Sequence, residues 1–168
     1  MTIHDDHPFA DSSPDPVRRF RGRLGGGVTL WTCAADRPAG LTVTSVLVAA
    51  GEPAQLLALL DPDSDLAEAL TAGGRAVVHL LSWRHRELAE QFAGVFPAPG
   101  GAFAQAAFEV TDWGPRLADV SAWAGVRLVD AREVGWSTLV TCAVEHVEVG
   151  ADDDPLLHRR GRFSRAGD

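Results

Sequence analysis

Several residue types are absent or scarce in this chain of 168 residues. It contains no lysine and no tyrosine, and all 15 basic residues are arginine. A lysine Schiff base and a lysine nucleophile are therefore excluded. The two cysteines, Cys33 and Cys142, fall inside predicted strands and form no paired metal-ligand spacing. We expect both to be buried free thiols, and we predict no metal site.

Long apolar runs and a targeting segment are also missing. No run approaches the roughly 18 apolar residues that a transmembrane helix needs, and the polar, acidic N-terminus lacks the basic and apolar regions of a signal peptide. The 23 acidic residues give a net charge of -8, so the molecule's field repels nucleic acid and anionic membranes. We therefore predict a cytoplasmic protein with neither of these as a partner.

Length and composition indicate a single domain. The chain is 46% hydrophobic and 23% charged, which are ordinary values for a globular protein of this size. Turn formers and acids fill the first residues, which have little to bury. We predict a flexible leader over residues 1–16, a domain over residues 17–163 and a flexible tail over residues 164–168.

The stretch from Gly40 to Ala50 is the centre of the pattern. Leu41 and Val43 alternate with threonines, which is the period-two pattern of a strand. Gly40 opens the strand and the turn residues 51–53 close it. A row of small hydroxyl side chains beside strand amides suits a planar, hydrogen-bonding heterocycle.

The next segment joins a strand to a helix. The apolar run from Gln55 to Leu60 predicts a fully buried strand, and an Asp or Ser cap within residues 61–65 starts a helix. The free amides at that helix start favour a phosphate. Asp63 and Asp65 place negative charge there, so the acids either leave a weak phosphate site or simply cap the helix.

The remaining pattern predicts an antiparallel barrel. A strand over residues 75–81 precedes a helix from Trp83 to Phe92, and the last strand runs from Thr138 to Val149. Gly125 suggests a bulge in the preceding strand. Six or seven short strands with two short helices, joined by Gly-, Pro- and Asp-rich turns, favour a β-barrel over parallel βαβ units.

Several motifs occur in the order of one known family. The chain resembles the flavin reductase-like family, the FMN-binding split barrels, in its Gly40–Ser45 strand, in Leu88, Ala89, Phe92 and Ala93, in Gly135 with Thr138, and in its C-terminal Pro-Leu-Leu segment. The resemblance implies a mainly β, antiparallel Greek-key split barrel with two or three short helices. It also implies a homodimer.

The resemblance further implies an NAD(P)H:flavin oxidoreductase. Hydride would pass from nicotinamide to N5 of FMN, with FAD as an alternative, and a two-component monooxygenase would be the partner. The expected cofactor-binding residues, in chain order, are Thr42, Val43, Thr44, Ser45, Ser64, Asp65, His79, Leu80 and His85. Ser137 and His158 would lie on the nicotinamide side.

Departures from the family pattern keep a second function open. Leu66, the acids at residues 63 and 65, His85 and Ser137 replace residues of the family's motifs, which would also fit a non-catalytic flavin- or haem-binding protein or a partner subunit. As lone residues, His79 and His85 also fit structural roles. The basic cluster at residues 158–162 either attracts a dinucleotide's phosphates or offsets the acids before it.

Overall fold

The computed structural model describes residues 15–17, 19–20, 26–151, 154–159 and 161–168. The predicted leader therefore lies outside the described residues except for its last two positions. None of the described helices is long and apolar enough to cross a membrane.

The strands, in chain order, are β1 (Thr29–Cys33), β2 (Ala39–Val43), β3 (Val46–Ala49), β4 (Gln55–Leu60), β5 (Arg75–Leu80), β6 (Phe108–Thr111), β7 (Gly114–Leu117), β8 (Ala122–Val134), β9 (Ser137–Val149), β10 (Leu156–Arg159) and β11 (Arg162–Arg165). Two α-helices lie between them, α1 (Asp65–Gly73) and α2 (Arg86–Phe92).

Seven of the strands form one antiparallel sheet. Its order is β2-β1-β5-β8-β9-β4-β3, and β6–β7 and β10–β11 are separate hairpins. The prediction of a mainly β, antiparallel split barrel with short helices is confirmed. The C-terminal hairpin continues past residue 163, where we predicted the domain to end, as far as Arg165.

The stretch predicted as one strand from Gly40 to Ala50 is interrupted in the middle. β2 pairs with β1 up to Val43, opposite Thr29, and β3 pairs with β4 from Val46, opposite Ala58. Because β2 and β3 lie at the two edges of the sheet, the chain crosses from one edge to the other between residues 43 and 46. That crossing closes the barrel, and we call residues 44–45 the break.

The buried side chains form two layers. The barrel interior holds an apolar cluster that includes Trp31, Leu56 and Cys142. A second cluster on the outside of β1 and β5 lies beneath α2 and the β6–β7 hairpin, and it includes Leu30 and Leu117. On β1 and β5, residues alternate between these two layers, as the two-residue period of a strand requires.

Two predictions about apolar and helical segments need correction. β4 is not fully buried, because Leu57 is half-buried and Leu59 is 39% exposed while their neighbours face the barrel interior. An apolar run alone does not tell a two-sided strand from a one-sided one. The second helix starts at Arg86, since residues 83–85 form a 3-10 turn after Ser82.

Other local predictions are confirmed. Ser64 caps α1, and Gly74 ends it in the left-handed conformation at φ 73°. The register of β8 against β9 shifts directly after Gly125, where an added Cβ would lie 2.2 Å from the Trp113 ring. Cys33 and Cys142 are buried free thiols, and burial raises the pKa of each to about 12.

Candidate functional site

The break presents main-chain donors to solvent. Thr44 and Ser45 are exposed, and the Ser45 carbonyl accepts from the Leu59 N–H at 3.2 Å. The Ser45 hydroxyl donates to the Leu59 carbonyl at 2.8 Å. Within the described residues, no protein acceptor takes the N–H of Thr44 or of Ser45. Two adjacent amide donors are therefore available to a ligand.

The start of α1 offers amides but also carboxylates. The Ser64 hydroxyl accepts from the Ala67 N–H at 3.2 Å and donates to the Asp61 carbonyl at 2.7 Å. The N–H groups of Asp65 and Leu66 have no protein acceptor among the described residues, as is usual in a first helical turn. These amides fit an anion, whereas the exposed carboxylates of Asp63 and Asp65 oppose it.

An open groove connects this helix start with β9. It has a volume of about 640 Å³ and is lined by Asp63, Ser64, Glu68, Thr71 and Thr138, among others. Thr138 is the partner of Leu60 in the sheet, and Ser137 precedes it. Ser64 and Thr138 thus line the same groove, and Ser137 adjoins it in the chain without lining it. Thr138 was not among the predicted site residues, although its neighbour was.

Two predicted residues face the barrel interior. Val43 is 4% exposed, and its carbonyl accepts from the Thr29 hydroxyl at 2.5 Å. Leu80 is half-buried and packs against the interior cluster. Both lie on the strand row that contains Thr29, since Thr29 pairs with Val43 on one side and with Leu80 on the other. Val43 borders the break, Leu80 lies two strands away from it, and neither presents a polar side chain to it.

The Thr42 and His79 side chains point into the outer layer. The Thr42 hydroxyl donates to the Ala89 carbonyl of α2 at 2.6 Å. His79 is 0% exposed; Nδ1 donates to the Leu30 carbonyl at 2.7 Å, and Nε2 accepts from the Leu117 N–H at 2.9 Å. Burial lowers the pKa of His79 to about 4. The imidazole is therefore neutral, and it joins β1, β5 and β7.

His85 also has partners within the chain. Its Nδ1 accepts from the Ser82 N–H at 3.0 Å, and its Nε2 donates to Asp119 at 3.0 Å. Burial lowers the pKa of His85 despite the carboxylate. Partial burial raises the pKa of Asp119, but His85 and Arg84 outweigh this and hold that pKa below its usual value. Sequence gave no signal for Asp119, which is 34 residues from His85.

His158 lies on the other side of the break from Ser137. Its ring packs edge-on against Phe163, with the ring centroids 5.4 Å apart, and its main-chain N–H donates to the Gly26 carbonyl at 3.3 Å. The structure does not bring His158 and Ser137 together within one chain. The strand of His158 lies beside Val28, on one side of the break, whereas the strand of Ser137 lies beside β4, on the other side.

The predicted polar residues thus form two sets. The covered polar residues, whose side chains are bonded within the outer layer, are Thr42, His79 and His85. The open rim, whose side chains are exposed or half-buried around the break and the helix start, consists of Thr44, Ser45, Ser64, Asp65 and Ser137. Within the described part of the chain, no cluster of His, Cys, Asp and Glu could hold a metal ion.

The fold and the break define a split-barrel protein with an open main-chain edge. The chain belongs to the flavin reductase like family, because the model of the flavin reductase like domain matches residues 21–167.

Relatives with assigned activities support this membership. An FMN reductase (NADH), RutF 2 of Methylorubrum extorquens, is 32% identical over 162 residues, covering 91% of this chain and 89% of that protein. The reductase component of a 4-nitrophenol 4-monooxygenase/4-nitrocatechol 2-monooxygenase of Rhodococcus opacus is 30% identical over 148 residues, covering 87% and 77%. The crystal structure of a flavin reductase domain protein from Arthrobacter sp. FB24 matches with a TM-score of 0.75 at 26% identity, covering 85% of this chain and 89% of that one.

Proposed function

We propose that this protein is an NAD(P)H-dependent flavin reductase that transfers hydride from reduced nicotinamide to flavin N5. FMN is the proposed flavin, with FAD as the alternative. The proposal rests on membership of the family, on relatives that are FMN reductases using NADH, and on the open rim. A bound flavin supplies the two-electron acceptor, and hydride transfer needs the two rings to be held face to face rather than a protein nucleophile.

The unpaired amides of the break are the observation that carries the proposal. The Thr44 and Ser45 N–H groups are fixed by the pairing of Val43 on one side and of Val46 on the other. They would donate to the pyrimidine edge of a flavin ring. Main-chain donors held by two strands are preorganised, so little ordering entropy is lost when the ring binds.

Some of the other predicted residues would contact the ligand in this proposal, and others would only hold the strands in place. Ser64 and the free amides of α1 would hold the phosphate, while Val43 and Leu80 would support the ring site from the barrel interior. Thr42, His79 and His85 would contribute only by holding the strands in place, because their side chains are bonded internally. Ser137 and His158 would flank the nicotinamide from opposite sides.

We further propose a homodimer that uses the outer face of β3, β4 and β9. Leu47 is 70% exposed and Leu59 is 39% exposed, and the half-buried Leu57 and Leu139 are their cross-strand partners. An apolar strip of this kind on a sheet face favours a protein partner. Leu47→Asp should convert the dimer to a monomer in sedimentation experiments, whereas a wild-type monomer at micromolar concentration would contradict the proposal.

The proposed setting is the reducing cytoplasm, in which the buried free thiols Cys33 and Cys142 would persist as thiols. There the protein would supply reduced flavin to a monooxygenase, as the names of relatives from Rhodococcus opacus and Pseudomonas aeruginosa indicate for those proteins.

The first experiment is an absorbance spectrum and an NADH-oxidation assay of the purified protein with added FMN. The proposal expects flavin binding and FMN-dependent NADH consumption. A protein that binds flavin without oxidising NADH or NADPH would instead support the non-catalytic alternative, which the acids beside α1 and the serine at 137 favour. A protein that does neither would refute the proposal and leave the haem-binding protein or partner subunit as the alternative.

A pair of substitutions then tests the phosphate site. Ser64→Asp retains a good helix cap but adds a negative charge beside the free amides, and it should abolish FMN binding. Asp65→Asn removes a negative charge there and should strengthen FMN binding. Fluorescence titration measures both affinities, and unchanged affinity in both variants would refute the phosphate assignment.

A further inference from the structure

We propose that the exposed arginines of the C-terminal hairpin, Arg159 and Arg162, form a binding site for the diphosphate of a dinucleotide. The inference rests on the proposed function and adds to it a ligand contact outside the open rim. The proposed source of the diphosphate is the nicotinamide dinucleotide, because the phosphate next to the flavin is assigned to the start of α1.

The arrangement of the two arginines is the first observation. Arg159 and Arg162 are directly opposite each other in the β10–β11 ladder, and both are exposed. Like charges at directly opposite positions repel. Among the described residues, no carboxylate pairs with either guanidinium. A bound anion would relieve the repulsion, and arginine binds phosphate oxygens in a forked geometry.

The hairpin is anchored, which is the second observation. Leu156 is 0% exposed and bonds by its main chain to Val28 and Leu81. Arg165 donates to both oxygens of Asp154 at 3.1 and 2.6 Å, and its guanidinium lies over the Trp83 ring at 5.5 Å. One basic residue of this segment therefore offsets a neighbouring acid, whereas Arg159 and Arg162 remain free on a fixed support.

The distance to the break is the third observation. The Val28 N–H donates to the Leu156 carbonyl, and Val28 precedes Thr29, the residue paired with Val43. β10 is thus about two strand spacings of ~4.8 Å from the chain at Thr44, and the arginines lie about three residues of ~3.3 Å further along β10. In the nicotinamide dinucleotide, a ribose separates the ring from the first phosphate. A nicotinamide ring stacked on a flavin at the break can therefore place its diphosphate toward this hairpin.

The negative net charge of the protein makes these two arginines an isolated attractive site for an anion. The protein carries a net charge of -8, so most of its surface repels a dinucleotide. Two unpaired guanidinium groups in this hairpin would both steer and hold the diphosphate.

The test compares the double variant Arg159→Gln/Arg162→Gln with Arg127→Gln. Arg127 is an exposed arginine on β8, and it lies 3.6 Å from Glu145. Arg127 pairs with Arg75 at one end of β5. The C-terminal hairpin lies near the other end of β5, beyond Leu80, so Arg127 is remote from the proposed site. With FMN as the flavin, we expect the double variant to raise the KM for NADH about tenfold with kcat changed less than twofold, and the control to change neither. The KM for reduced nicotinamide mononucleotide, which lacks the diphosphate, should change less than threefold.

Two further arms identify the source of the diphosphate and separate this inference from the proposed function. A selective tenfold loss of FAD affinity over FMN affinity, measured by flavin fluorescence, would overturn the assignment to the nicotinamide dinucleotide and make FAD the ligand of the hairpin. Calorimetry with ADP needs no activity, so loss of ADP binding in the double variant supports the site even if the wild type is not a reductase. If KM, FAD affinity and ADP affinity in the double variant all match those of Arg127→Gln, the proposal is overturned.

Discussion

The covered polar residues and the open rim come from the same motifs but occupy different surroundings. His79 has both ring nitrogens bonded to main-chain groups inside the protein, whereas the amides of Thr44 and Ser45 have no described protein acceptor. Polar groups that are buried must find partners during folding, while exposed groups can keep theirs for a ligand. The comparison separates residues that hold the barrel together from residues that are free to bind.

Replacing His79 should give the largest loss of stability. His79→Leu fills a similar volume but removes the ring bond to the Leu30 carbonyl and leaves the buried Leu117 N–H without its acceptor, which should cost about 3 kcal/mol of unfolding free energy. Urea denaturation measures this loss. A change of less than about 1 kcal/mol would contradict the account of His79 as the joint between β1, β5 and β7.

Acid should weaken the same part of the structure. The unfolded chain takes up a proton on His79 near the ordinary pKa of 6.5, but the folded chain does so only near 4. The unfolded state binds more protons between these two pKa values. The contribution of His79 to the free energy of unfolding is therefore fully present above pH 6.5 and is lost as the pH drops toward 4, by up to about 3 kcal/mol. His85, whose pKa is also lowered, adds in the same direction.

Thermal denaturation across this pH range checks the prediction, with His79→Leu as the matched control. The variant should show a shallower acid dependence than the wild type. Equal slopes for the two proteins would show that His79 is not the group responsible.

A smaller effect is expected at Thr42, another of the covered polar residues. Thr42→Val keeps the shape of the side chain but removes the donor to the Ala89 carbonyl, which should cost about 1 kcal/mol of stability. FMN affinity should change less than threefold, because the hydroxyl is turned toward α2. A large loss of flavin affinity at unchanged stability would place Thr42 in the open rim instead.

Local sequence signals predicted local features of the fold well. The Ser64 cap, the Gly125 register shift and the antiparallel pairing followed from residue types and periodicity. The interruption between residues 43 and 46 did not, because a period-two pattern is the same whether a strand keeps one neighbour or exchanges it for another. Pairing with distant strands decides that exchange.

The covered set shows the same limit at the site. His79 and Thr42 lie on strands that also border the candidate ring site, so their position in a motif does not reveal which layer their side chains face. That depends on α2 and on β7, whose Leu117 is 38 residues away from His79. Likewise, Leu59 suits both a buried and an exposed strand face, so its exposure became evident only from the sheet.

The central claim is that the main-chain donors at the break bind the flavin, and Thr44 offers the most direct measurement. Thr44→Pro removes the N–H without requiring a positive φ, whereas Thr44→Ala removes only the hydroxyl. Circular dichroism and thermal denaturation would confirm that both variants fold. We predict that fluorescence titration gives FMN binding about tenfold weaker for Thr44→Pro and within threefold of wild type for Thr44→Ala. Equal affinities in the two folded variants would contradict the claim.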